Sequence, residues 1–210
     1  MSDASNKPAD STPELYYSVD LSKQENYCAA GGIIYNWTGT HWQAQTGSRL
    51  DALEHSALHF ISKSHPKQAT AKVARNAVDT ATTYIRPLPV GTKKSIIIPC
   101  SNGSVVVEPN GEIHFRENKP SDGVTFSLSC EYNHLAECPS FNQFLDEILD
   151  KESQAYVQGF AGYSLLADTR HQVALWLKGN GRNGKGTLIE IISALHPHAP
   201  SVRLVVALKN

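Results

Sequence analysis

A chain of 210 residues, 40% hydrophobic and 19% charged, is long enough to bury a sizeable core, and a mean hydropathy of -0.31 excludes both a wholly disordered chain and a membrane-embedded one. No apolar run approaches the ~18–20 residues of a spanning helix, and Met1–Asp10 lacks the apolar centre of a signal peptide, so a soluble, cytosolic protein is expected. With a net charge of -1 and a pI near 6.7 there is no global basic field, and any nucleic-acid contact must come from a local patch.

Residues 1 to about 24 are rich in Ser, Asp, Pro and Lys and read as a flexible tail. Order is expected from near Tyr27. Gly32–Trp37 and His41–Ala44 flank Thr38-Gly39-Thr40, the pattern of a hairpin with a glycine turn. Ser48, with Asp51 three residues on, has the form of a helix N-cap, and Leu50, Leu53, Ala57, Phe60 and Ile61 follow at helical spacing. Pro66 suits the first turn of a second helix running to about Tyr84, with Val73, Ala77, Ala81 and Ile85 as its stripe, and Pro87 and Pro89 end it.

A β section comes next. Ser95–Pro99 and Ser104–Glu108 are β-branched runs, Asn110-Gly111 is a type I′ hairpin signal before Glu112–Arg116, and Val124–Cys130 reads as a further short strand. Pro139 opens a helix through Phe141, Phe144, Leu145 and Ile148. Another helix, from about Glu152 to Leu166, carries Val157, Phe160, Ala161 and Leu165.

Cysteines stand at 28, 100, 130 and 138 with no CxxC pair, which favours reduced thiols. Cys130, His134 and Cys138 form the one metal-like run, but zinc sites use tighter cysteine spacing and need a fourth ligand. His55 and His59 are four apart on the first long helix, and Ser56 stands where a zincin needs glutamate. Ordinary thiols and a solvated helical face are the better readings of these groups.

Chemistry concentrates near the C-terminus. Val173–Lys178 reads as a strand, Gly179-Asn180-Gly181-Arg182-Asn183-Gly184-Lys185-Gly186-Thr187 as a glycine-rich turn, and Leu188–Leu195 as an apolar helix. Such a turn lets consecutive N–H groups close on phosphate oxygens, and the helix aims its positive end at the same anion. Lys185 supplies a point charge for the outer phosphates, so ATP with Mg²⁺ is the expected ligand. The P-loop spacing is met, but Gly186 follows the lysine where Ser or Thr is usual, as in the GKGT of adenylate kinases. The magnesium hydroxyl is then expected from Thr187. Only 23 residues follow Thr187, with one candidate strand at Val202–Leu208 and no hydrophobic run ending in Asp or Glu. The chain is expected to stop inside its ATPase domain and to be inactive in hydrolysis by itself.

Several motifs occur in a telling order: the aromatic hairpin Ile34-Tyr35-Asn36-Trp37, the Asn102-Gly103 strand entry, Tyr132, and Cys138-Pro139 before a helix ending in Phe144-Leu145. Gly162-Tyr163-Ser164-Leu165 and the loop ending in Asn183-Gly184-Lys185 complete the series. From about residue 25 to 195 the chain resembles the phage and plasmid primase–helicases, with a poxvirus-type primase–helicase N-terminal region ahead of a superfamily 3 helicase core. The resemblance implies an α+β N-terminal domain of hairpins and helices at 25–170. It also implies, at 171–210, the first strand, P-loop and helix of a truncated α/β ATPase domain. It further implies DNA as partner, a ring-shaped oligomer, usually a hexamer, and a cytoplasmic site of action for a phage- or plasmid-encoded protein. Cys138 then belongs to a structural Cys-Pro helix start. A P-loop nucleotide kinase-like fragment and a non-catalytic DNA-binding prophage remnant are the alternatives. If DNA is bound, the basic stretch at 60–94 is the place for it. Lys67, Lys72 and Arg75 lead there, with Lys63, Arg86, Lys93 and Lys94 around them and Asp79 as the one acid.

Overall fold

A computed structural model of the chain describes residues 11–91, 95–166, 173–179 and 183–196. It divides at 91/92, inside the stretch expected as one domain, into two compact units, each a mixture of helices with one small antiparallel sheet.

The first unit opens with helix α1 (Pro13–Ser22). The Thr12 hydroxyl accepts from the Leu15 amide at 3.3 Å, and Pro13 stands in the first turn, where a missing N–H costs nothing. Tyr17 and Leu21, one turn apart, are buried in the core. The flexible tail expected over residues 1–24 is thereby corrected for Pro13–Ser22. The segment is polar by composition, yet its apolar side chains fall on one face and find a partner. Residues 1–10 lie outside the described residues.

Strands β1 (Tyr27–Ala30), β2 (Ile33–Trp37) and β3 (Trp42–Ala44) form an antiparallel meander, with Cys28 opposite Tyr35 and Trp37 opposite Trp42. The β2–β3 hairpin stands where the sequence puts it. β1 is an addition, joined to β2 by Gly31-Gly32, whose positive φ values (57° and 75°) make the two-residue turn that suits twisted strands.

Helix α2 (Ser48–Ser64) buries Leu53, Ala57 and Ile61, with Leu50 and Phe60 half-buried beside them, as the spacing predicts. Its cap is Gly47 rather than Ser48, the Gly47 carbonyl accepting from Asp51 at 3.1 Å. The helix expected from Pro66 to Tyr84 is broken. Pro66–Gln68 makes one 3-10 turn, and helix α3 (Ala71–Tyr84) starts afresh at Thr70, whose hydroxyl accepts from Val73 at 3.3 Å. Ala74, Ala77, Val78 and Ala81 form its buried stripe. These small side chains let α1 come close enough for the buried Ser18 hydroxyl to reach the Ala77 carbonyl at 3.4 Å, besides bonding Glu14 O at 2.7 Å. Beyond α3 the chain returns beside β1, with Ala29 N donating to Arg86 O and Leu88 N to Ala29 O, both at 2.9 Å. The Arg86 guanidinium lies 5.6 Å from the Trp42 ring centroid and donates to the Glu25 and Tyr27 carbonyls.

The second unit carries β4 (Ile96–Cys100), β5 (Gly103–Val107) and β6 (Ile113–Arg116), again an antiparallel meander, with Val105 between Ile98 and Phe115. Asn110-Gly111 is not the centre of a two-residue type I′ turn, because the turn's i→i+3 bond spans Glu108 to Gly111 and so centres it on Pro109-Asn110, where proline's fixed negative φ excludes type I′. Gly111 N instead donates to Glu108 O at 2.9 Å and Gly111 takes φ 85°, the geometry of a three-residue loop. Val124–Cys130, expected as a strand, forms no ladder. It follows β4 through Leu128 N to Pro99 O (2.8 Å) and Ser101 N to Cys130 O (3.1 Å), and Pro99 has no N–H with which to extend the pairing.

Helices α4 (Pro139–Ile148), α5 (Lys151–Ser164) and α6 (Lys185–Ala194) surround a smaller core of Val157, Leu188 and Ile192, to which α4 adds Phe141, Phe144 and Leu145. Cys138-Pro139 opens α4 as expected. Asp150 opens α5 by accepting from the Ser153 amide at 2.8 Å, a bond that holds the Asp150 carboxyl below the usual carboxylate range. Among the described residues no helix is long and apolar enough to cross a membrane.

Candidate functional site

Helix α6 begins at Gly184, and two facts require glycine there. Its φ of 80° is left-handed, and a Cβ would lie 2.9 Å from Ile148 Cγ2 and 3.1 Å from the Phe144 ring. The first i→i−4 bond runs from Leu188 N to Gly184 O at 2.9 Å, so the amides of Gly186 and Thr187 have no such partner within the helix. Lys185 turns back across the loop, its ammonium donating to Gly179 O at 2.9 Å and to Asn183 Oδ1 at 2.6 Å. Gly179, Asn183, Gly184, Lys185, Gly186 and Thr187 are thus brought together at the positive end of a helix, beside a cation. That arrangement suits an anion. Asn180, Gly181 and Arg182 lie outside the described residues.

The approach to this loop departs from expectation. Val173–Gly179 has no regular secondary structure, and the β4–β5–β6 sheet does not include it. A buried parallel strand draws its backbone bonds from neighbours on both sides, and this segment has none among the described strands. Leu175 and Leu177 pack on the small core, whereas Val173 and Trp176 are exposed. The strand expected at Val202–Leu208 lies outside the described residues.

Sequence reasoning missed a cavity of about 460 Å³ beside Lys185. Val157 and Leu188 line it from α5 and α6, the exposed Tyr156 and Trp176 stand at its rim, and Lys178, Asn183 and Lys185 add polar and charged groups to its lining. Tyr156 has no place in the apolar spacing of α5, and Trp176 sits in a run that reads as a buried strand, so no sequence signal distinguishes either.

Of the basic residues, Lys67 lies on the 3-10 turn and Lys72 and Arg75 on α3, so the break at Thr70 separates residues expected on one helix from Pro66 to about Tyr84. Lys63, Lys67 and Lys72 are exposed, while Arg75 Nε pairs with Glu54 Oε2 at 3.3 Å. Lys93 and Lys94 lie outside the described residues.

Among the described residues no group of three or more His, Cys, Asp and Glu is placed to hold a metal ion. Cys138 is exposed and its thiol reaches Asn142 Oδ1 at 3.7 Å; His55 and His59 lie exposed on α2. Burial pushes the Cys28 thiol up to about 11 despite the nearby Arg86, and burial next to Cys130 does the same for Cys100.

Two motif residues turn out to hold each other. Asn102 Nδ2 donates to Tyr132 O at 3.0 Å and Asn102 Oδ1 accepts from Tyr132 N at 2.9 Å, with the Tyr132 ring 5.3 Å from that of Phe115. They clamp a long loop to the β4–β5 turn, so their role is structural.

A family model described as D5 N terminal like matches residues 16–150. No curated protein matches the chain. The matched span takes in the aromatic hairpin, the Asn102–Tyr132 clamp and the Cys138-Pro139 helix start, and it ends before the Gly179 loop. Over well more than half its length, the chain therefore belongs to the D5 N terminal like family, whose domain occurs in phage and plasmid primase–helicase proteins.

Proposed function

We propose that the chain is a portion of an ATP-dependent DNA helicase–primase of phage or plasmid replication, binding nucleotide through Gly179–Thr187. One observation carries this reading: the Lys185 ammonium is folded onto Gly179 O (2.9 Å) at the N-terminus of α6, beside first-turn amides without i−4 partners. Family membership at residues 16–150 adds the replication context. The donors suit a polyphosphate. Gly186 and Thr187 offer amides, Lys185 offers the charge, and the Thr187 hydroxyl is the group for the magnesium shell, the metal supplying charge neutralisation of the bound phosphates. On binding, the lysine exchanges the neutral acceptors Gly179 O and Asn183 Oδ1 for charged phosphate oxygens, and the helix end stabilises the same charge.

Lys185→Ala is expected to weaken ATP binding ~10–100-fold, because one charge-assisted bond to phosphate is removed. Isothermal titration of the full chain with MgATP reads this directly. Equal affinity for variant and parent would remove the loop from the reading.

Single-stranded DNA is the proposed second ligand, met by the exposed Lys63, Lys67 and Lys72. A Lys67→Ala/Lys72→Ala variant is expected to bind oligo-dT more weakly, its log–log salt slope shallower by about 0.7 for each phosphate no longer neutralised. Arg75→Ala is expected to change less, since its guanidinium already faces Glu54. Fluorescence anisotropy at two salt concentrations distinguishes them, and an unchanged slope in the double-lysine variant would leave these residues as plain surface.

A further inference from the structure

We propose that the cavity beside Lys185 takes the base of a nucleotide, stacked on Trp176 and Tyr156, while Lys185 and the first-turn amides of α6 hold the phosphates; this rests on the phosphate-binding reading of that helix start. At about 460 Å³ the cavity falls within the ~300–1,000 Å³ of small-molecule sites. Its lining combines the cationic, apolar and aromatic groups that a nucleotide calls for. Lys178, Asn183 and Lys185 give its lining polar and cationic groups, with Asn183 Oδ1 and the Lys185 ammonium 2.6 Å apart. The body is apolar, closed by Val157 and Leu188, which are 6% and 1% exposed. At the rim, Trp176 and Tyr156 are 70% and 69% exposed, although both line the cavity. Two large rings that line one cavity and yet leave most of their surface to solvent gain little from the core beneath them. A flat, polarisable ligand would cover them and recover that burial. A ligand of phosphates alone explains the cationic groups and leaves the two exposed rings without a role.

The two rings come from different segments, Tyr156 from α5 and Trp176 from the stretch leading into the loop. Base binding would therefore tie the 173–179 segment to α5.

Competition titrations on the full chain, with ATP and inorganic tripolyphosphate as separate ligands, test the idea. The parent is expected to bind ATP at least tenfold more tightly than tripolyphosphate. Trp176→Ala and Tyr156→Ala are each expected to weaken ATP about fivefold to tenfold and to leave tripolyphosphate unchanged, and Trp176→Phe, which keeps a ring, to restore most of the ATP affinity. Both alanine variants replace exposed side chains, and far-UV circular dichroism checks that each folds. Equal affinity of the parent for the two ligands, or loss of both ligands alike in Trp176→Ala, overturns the base site while the phosphate loop stands. Loss of both ligands in Lys185→Ala alone is the signature of the loop. Binding of neither ligand by the parent overturns both readings.

Discussion

Trp42→Ala is expected to cost the first unit about 3–5 kcal/mol, the range for truncating a large aromatic in a packed core. Trp42 has no exposed surface. Its ring lies 5.4 Å from that of Trp37 across the β2–β3 pair and 5.6 Å from the Arg86 guanidinium. Truncation removes the burial, opens a cavity and takes away the surface on which Arg86 rests. Arg86 also donates to the Glu25 and Tyr27 carbonyls, and its own carbonyl accepts from Ala29 on β1. The loss should therefore spread from β3 to β1 and to the segment after α3. Trp37→Ala, at a half-buried position on the same hairpin, is expected to cost clearly less. Urea unfolding of the full chain, read by hydrogen exchange over residues 11–91, gives the comparison. A Trp42→Ala loss below about 1 kcal/mol, no larger than an ordinary surface change, would mean that Trp42 does not anchor this sheet.

Gly103→Ala is expected to destabilise the second unit by about 3 kcal/mol, the upper part of the range for overpacking. A Cβ on Gly103 would stand 2.5 Å from Phe115 Cζ and 2.6 Å from the Arg116 carbonyl oxygen. The phenyl ring could turn away, but the carbonyl belongs to the β5–β6 ladder, in which Ser104 lies opposite Arg116. Relief requires backbone movement of β6, which would disturb the Arg116–Asp122 pair at 2.8 Å and the Phe115–Tyr132 ring pair. Gly159 on α5 is the control: a Cβ there meets nothing within 4 Å, so Gly159→Ala should gain the ~0.5–1 kcal/mol of helix propensity. Amide protection of β5 and β6 that is the same in Gly103→Ala as in the parent would show that the close approach is not a constraint.

Gly103 also illustrates what a sequence motif conveys. The Asn102-Gly103 pair marks a strand entry by sequence alone, but the reason for each residue lies elsewhere in the chain. Asn102 is there for the backbone of Tyr132, and Gly103 for that of Arg116. The same holds at the loop: a glycine-rich turn ahead of an apolar helix is legible in Gly179–Leu188. That Gly184 must also clear Phe144 and Ile148 follows only from the packing of α4.

By itself the sequence determined the elements whose signals are local. Apolar spacing placed α2, α4 and α5, a glycine-centred turn placed the β2–β3 hairpin, β-branched runs placed β4 and β5, the Asn110-Gly111 turn signal placed β6, and the apolar run Leu188–Leu195 placed α6, which begins earlier, at Lys185. Each depends on residues within a turn or two of one another. Tertiary structure decided the rest. The alanine stripe of α3 recruited α1 from a segment that composition assigns to a tail, and Ala29 captured Arg86–Leu88 beside β1. Val124–Cys130 and Val173–Lys178 have strand-like sequences but no ladder among the described residues, because a strand exists only where a distant segment offers matching donors and acceptors. The rim of Tyr156 and Trp176 beside Lys185 is of the same kind. Three segments distant in the chain form it by packing on Val157 and Leu188, and spacing along the chain carries no record of which segments will meet.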